Sequence, residues 1–130
     1  MKFTLVINGA PWSSQSALSA LHFATAAIDS GHEIYRLFFY QDGASNASLF
    51  CVPPQDETDI PAGWEALIAE HSIDAVVCAA SALKRGILDA AEADRYDKPG
   101  SNLRPGFTVS GLGQLIDAAQ NSDRVVSFVV

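Results

Sequence analysis

The sequence predicts an α/β fold, a single domain of three layers with four or five mostly parallel strands. Three observations carry this expectation. Short apolar runs without polar alternation, at Phe3–Asn8, Ile34–Tyr40 and Ile73–Val77, read as strands covered on both faces. The segments between them place apolar residues at the helical period. A strand, a helix and a strand at this spacing form a βαβ unit, whose strands run parallel.

The elements follow in order. After Phe3–Asn8, the stretch Gly9-Ala10-Pro11-Trp12-Ser13-Ser14 breaks the strand. From Gln15 to Ser30, Ala17, Leu18, Leu21, Ala24, Ala27 and Ile28 make one helical face, and Gly31 supplies the C-terminal cap. Ile34–Tyr40 is the second strand. Gln41–Ala44 reads as a turn, Ser45–Cys51 as irregular, and Val52–Asp59 as a solvated loop. Ile60–His71 reads as a helix, with Pro61 in its first turn and Trp64, Leu67 and Ile68 on one face. Ile73–Val77 is the third strand, followed by a short helix that stops at Gly86. Asp89-Ala90-Ala91-Glu92 has the spacing of a capping box and opens a helix through about Asp94. Tyr96–Pro105 is a polar loop, and Gly106–Ser110 a brief strand. Gly111-Leu112-Gly113-Gln114 opens a helix through about Gln120, and Asp123–Val130 ends the chain as a strand. No repeat or linker divides residues 1–130, so the architecture is a flavodoxin-like or Rossmann-like sandwich.

Composition narrows the function. Apolar residues make up 48% and charged residues 18%, the balance of a globular chain. Asp and Glu outnumber Lys and Arg by 15 to 8, and the basic stripe that nucleic acid requires is absent. No apolar run approaches the ~20 residues of a membrane span. The amino-terminal apolar run is too short for a secretion signal, so a cytoplasmic location is expected. In that reducing compartment Cys51 and Cys78 are expected to stay unpaired. Without a CxxC or a clustered His/Cys pair, a zinc site is not expected.

Cys78 stands where the third strand gives way to the short helix. In an open parallel sheet this is the usual ligand crevice, and the N–H groups of a helix start favour an anion. A thiolate there can be a nucleophile or a sulfur carrier. Free cysteine is also among the most buried residue types, so a core role stands beside this one. Lys84 and Arg85 could hold a thiolate or attract an acidic partner, or simply complement the helix dipole. Cys51, in a loop, could serve as a secondary sulfur site, though an incidental thiol is the plainer reading.

The remaining candidates read as structural. Ser13, Ser14 and Ser16 could cradle a phosphate ahead of the first helix, but with no GxGxxG or Walker pattern, serine capping is preferred. His22, His32 and His71 are scattered within or just after helices. Asp56, Glu57 and Asp59 lack calcium-loop spacing and read as a solvated face. No G-x-S-x-G elbow is present. The apolar excess of Ile34–Asp42, with Phe50 and Phe107, leans towards a partner surface.

Four segments in order resemble the DsrE/TusD family of small sulfur-transfer subunits. They are Phe38–Ala44 with Asn46-Ala47, Cys78–Asp89, Asn102-Leu103 with Gly106–Gly113, and Asp123–Val126. The resemblance runs nearly end to end, and the overall pattern is nearer to the branch from sulfur-oxidising bacteria. It implies a sulfurtransferase with no cofactor, in which a cysteine at the position of Cys78 carries sulfane sulfur as a persulfide. It also implies a cytoplasmic dimer of heterotrimers with DsrF/TusC-like and DsrH/TusB-like subunits. An upstream sulfane-sulfur carrier would load it, and a DsrC/TusE-type protein would accept the sulfur. The pathway would be sulfur oxidation or, in the TusD manner, tRNA 2-thiouridine synthesis. A non-catalytic docking subunit and a flavin or nucleotide binder are the rival functions.

Overall fold

A computed structural model describes residues 1–130. Its strands are β1 (Lys2–Ile7), β2 (Glu33–Phe39), β3 (Ala75–Cys78), β4 (Phe107–Ser110) and β5 (Arg124–Phe128). They form one five-stranded sheet in the order β4-β3-β2-β1-β5, and every pairing is parallel. The helices are α1 (Ser16–Asp29), α2 (Ile60–His71), α3 (Ala79–Lys84), α4 (Ala90–Arg95) and α5 (Gly113–Asn121). No helix is long and apolar enough to cross a membrane.

The layers follow from the connections. From β1 to β4 the chain steps in one direction across the sheet, and right-handed crossovers then keep the helices on one face. The crossover from β4 to β5 runs back the other way, which sends α5 to the opposite face. The larger core lies under α1 and α2, where the small Ala17, Ala20 and Ala24 let α1 approach Leu5, Ile7 and Leu37. Phe39 is its centre, with ring centroids 5.3 Å from Trp64 and 5.1 Å from Phe107. On the other face Phe38, Val76 and Cys78 form a small cluster, covered by Leu115 of α5 and by Tyr40.

Several local signals act as read. Gly31 adopts φ 87 after α1, and the His32 N–H returns to the Ala27 carbonyl at 2.9 Å. The Asp89 carboxylate accepts the Glu92 N–H at 2.8 Å, forming one half of the capping box. Others are corrected. Residues 41–47, read as a turn and irregular chain, form a 3₁₀ helix that buries Gly43, Ala44, Asn46 and Ala47. A Cβ at Gly43 would lie 1.8 Å from the Ile7 carbonyl oxygen, so only glycine lets this helix sit on the end of β1. Asp59 is not merely solvated, because its carboxylate caps α2 through the Ala62 N–H. The start of α1 has no side-chain cap; Ser14 instead accepts the Ser16 N–H at 3.3 Å. Finally, most of Ile34–Asp42 is consumed internally, with Ile34, Leu37, Phe38, Phe39 and Phe107 all buried. Phe50 alone of those aromatics stays open, 72% exposed.

Candidate functional site

The end of β3 is where the sheet offers a crevice. Cys78 is its last residue and registers with Ser110, the last residue of β4. The onward connection from β3 carries Ala82 and Ile87 into the core beneath α1 and α2. The connection from β4 carries Leu115 to the opposite face. Neighbouring strands whose connections leave to opposite faces part at their carboxyl ends, which is the topological switch point of an open α/β sheet. A crevice of about 380 Å³ opens there, lined by Tyr40, Gln41, Asp42, Cys78, Ser81, Lys84, Arg85 and Leu112 among others.

Cys78 belongs to both the crevice wall and the core. It is 4% exposed and packs with Phe38 and Val76. Cys78 is also the N-cap residue of α3, and no side chain caps that helix. Ala79 and Ala80 beside Cys78 add no bulk beyond a methyl group.

The facing wall is fastened to α3. Ser81 Oγ accepts the Gln41 backbone N–H at 2.9 Å. Arg85 donates to Asp42 Oδ1 from Nε at 3.0 Å and Nη2 at 2.7 Å, and from Nη1 to the Ser81 carbonyl at 3.1 Å. This separates two cations that the sequence leaves equivalent. Arg85 is neutralised by Asp42, whereas Lys84 makes no ion pair and lines the crevice.

The other sequence candidates lie elsewhere. Cys51 is a free, half-buried thiol with Sγ 3.8 Å from the Ser45 carbonyl, outside the crevice. His22 is exposed on α1, His32 Nδ1 meets the amino terminus at 2.9 Å, and His71 lies 3.9 Å from Glu70. No three His, Cys, Asp or Glu side chains are grouped to hold a metal.

Two features escape the sequence reading. Arg36 is 8% exposed on the α5 face of β2 and donates to Asp74 at 2.7 Å, to Asp117 at 3.0 Å and to the Gln114 carbonyl at 2.7 Å. Burial pulls its guanidinium pKa down, but hydrogen bonds and charge from Asp74 and Asp117 outweigh this and raise it. The Tyr35 hydroxyl donates to Asp117 at 2.9 Å, and that bond raises the phenol pKa. Together they pin α5, which brings Leu112 to the crevice and Leu115 to the Cys78 cluster. The available signal was a lone arginine inside an apolar strand run. Leu112 itself carries no such signal, because its role depends on where α5 crosses the sheet.

Comparison with known proteins bears on this arrangement as a whole. The DsrE/DsrF-like family model matches residues 1–128. The chain is 52% identical over 128 residues to a sulfurtransferase TusD homolog of Pseudomonas aeruginosa, covering 98% of this chain and 97% of that one. It is 48% identical to the DsrE of Allochromatium vinosum, covering 98% of each. It is 44% identical to the sulfurtransferase TusD of Salmonella arizonae, covering 98% of this chain and all of that one. In structure it resembles the ychN protein from E. coli, with a TM-score of 0.78 at 22% identity over 98% of this chain and 99% of that one. That likeness concerns the fold.

Proposed function

The chain belongs to the DsrE/DsrF-like family, and from that premise we propose that it is a sulfurtransferase subunit in which Cys78 carries sulfane sulfur as a persulfide. The supporting observation is the place of Cys78, on the wall of the switch-point crevice with the uncapped start of α3 beside it. In loading, the Cys78 thiolate attacks the terminal sulfur of a donor persulfide. A Cys78 S–S bond forms, the donor S–S bond breaks, and the donor leaves as a thiolate with the bonding pair. In delivery, an acceptor thiolate attacks the terminal sulfur of the Cys78 persulfide, and Cys78 departs as the thiolate. One sulfur moves, no external oxidant is consumed, and Cys78 is the attacking group in one step and the leaving group in the other. An environment that stabilises its anion helps both.

The acceptor in this reading is a DsrC/TusE-type protein, and the working assembly is a cytoplasmic dimer of heterotrimers with two homologous small subunits. Relatives named for DsrE and for TusD are similar to comparable degrees, so the sulfur serves cytoplasmic sulfur oxidation or tRNA 2-thiouridine synthesis. Intact mass after exposure to a persulfide donor tests the carrier. Wild type and Cys51→Ser gain a sulfur atom and Cys78→Ser does not; a loaded Cys78→Ser protein rejects the mechanism. Loss of tRNA 2-thiouridine on deletion of the gene then distinguishes the two destinations.

One observation favours a second reading, the non-catalytic docking subunit. At 4% exposure Cys78 satisfies the requirements of a core residue. Thiol labelling of the native protein and its assembly decides between them, because a core thiol stays inert in both.

A further inference from the structure

The crevice is not the largest concavity. Beyond α3 lies a groove of about 930 Å³, whose apolar surface comes from Phe50, Leu83, Leu88 and Tyr96 and whose charge comes from Lys84 and Lys98. Charge is what sets it apart. The chain carries 15 Asp and Glu against 8 Lys and Arg, yet no acidic residue lines the groove. Two of the three lysines in the sequence do, and neither forms an ion pair within the chain. On a chain of net charge −7, this is a local positive site among exposed aromatic and half-buried aliphatic side chains.

The groove is also preformed. Asn102 Oδ1 accepts the Leu88 N–H at 2.9 Å, its Nδ2 donates to the Gly86 carbonyl at 2.8 Å, and its own N–H returns to the Leu88 carbonyl at 3.0 Å. Three bonds from one residue hold the 86–88 segment against the 98–102 segment, so little ordering entropy remains for a ligand to lose. The groove meets the Cys78 crevice at Lys84, which lines both.

We propose that this groove docks an extended segment of the protein that exchanges sulfur with Cys78, a segment carrying carboxylates and at least one large apolar side chain. Phe50 and Tyr96 supply rigid amphipathic surface for the apolar side chain, the residue types that anchor interfaces. Lys98 and Lys84 receive the carboxylates, and the continuity at Lys84 points the bound segment towards the crevice. The inference rests on the sulfur-carrier reading for its destination, while the docking itself does not require Cys78 to react.

The test therefore separates the two. The probe is a fluorescein-labelled ten-residue peptide with one tryptophan, two leucines, two glutamates and a serine in place of the reactive cysteine, beside a version with lysines for the glutamates. Anisotropy at low ionic strength is expected to show the acidic peptide binding on the order of ten-fold tighter to the full-length protein, since two contacts change from attraction to repulsion. Lys98→Glu is expected to remove that preference, and Phe50→Ser to weaken both peptides. Equal binding of the two peptides, or a preference that survives Lys98→Glu, overturns the proposal. So does a concentration-dependent dimer that Phe50→Ser dissolves, because the groove would then be filled by a second copy. If Cys78 fails to load sulfur while the acidic preference holds, the carrier reading falls and the docking site stands.

Discussion

Ser81 Oγ accepts the backbone N–H of Gln41 at 2.9 Å, so the helix that follows Cys78 is fastened to the end of β2. Gln41 sits at φ 52, a left-handed conformation that a non-glycine residue holds only with support. The Ser81 bond and the bond from Asn8 Nδ2 to Gln41 Oε1 at 3.0 Å provide it. The two walls of the crevice are thus one braced unit.

Ser81→Ala should loosen that brace. The Gln41 N–H loses its acceptor, at a cost of about 1 kcal/mol, read as a lower urea midpoint with an unchanged slope. In a Cys51→Ser background, Cys78 should label faster with a thiol reagent, because the crevice opens more often. A labelling rate that ignores the substitution disconnects Ser81 from access to the thiol.

Arg36 governs access from the other side. Its guanidinium joins β2 to α5 through Asp117 and the Gln114 carbonyl, and α5 carries Leu112 and Leu115 over the crevice and the Cys78 cluster. Asp74 and Asp117 are about half exposed, so after Arg36→Met water hydrates both carboxylates. The loss is therefore about 2 kcal/mol rather than that of a buried orphan charge. Hydrogen exchange should rise in residues 113–121 and stay unchanged in α1. Uniform loosening of the molecule would argue against a local tether.

Tyr35 makes the same cluster visible spectroscopically. Its hydrogen bond to Asp117 favours the protonated phenol, placing its pKa above the usual 10.0. The sign is that of a raised folded-state pKa: its stabilising contribution is intact below the unfolded pKa and is lost as pH rises through the folded value. Titration followed by phenolate absorbance should show one of the three tyrosines ionising later than the others. Asp117→Asn should return it to the common range; a late tyrosine that persists there belongs to another residue.

The parts legible in the sequence are those set by local chemistry. Apolar runs place β1, β2 and β3, Gly31 and Asp89 mark helix ends, and the strand-to-helix change at Cys78 locates the crevice. What escaped depends on elements distant in sequence. Leu112 reaches the crevice because the last crossover runs back across the sheet. Asp117 matters because Arg36 lies opposite it. The 3₁₀ helix at 41–47 looked like polar loop because its burial comes from packing on the end of β1, which no short periodicity encodes. Composition misled at Ile34–Asp42, where a surplus of apolar residues proved to be one strand serving two cores, Phe39 towards α2 and Phe38 towards α5.

Gly43 tests whether the 3₁₀ helix supports the site or merely follows it. An added Cβ would sit 1.8 Å from the Ile7 carbonyl oxygen and 3.3 Å from the Asn8 Cα. Ile7 cannot yield easily, because its carbonyl accepts the Tyr40 N–H at 2.9 Å. Gly43→Ala must therefore displace the 3₁₀ helix and break the bond that Asn46 Nδ2 donates to the Gly9 carbonyl at 3.0 Å. A loss of about 3 kcal/mol is expected, at the upper end for overpacking. Because Tyr40 caps this helix, Gln41 and Asp42 begin it and all three line the crevice, sulfur loading of the folded variant should also slow, whereas a distant core variant of equal instability such as Leu21→Ala should load at the normal rate. Equal loading rates for the two would make the 3₁₀ helix a stabilising element alone.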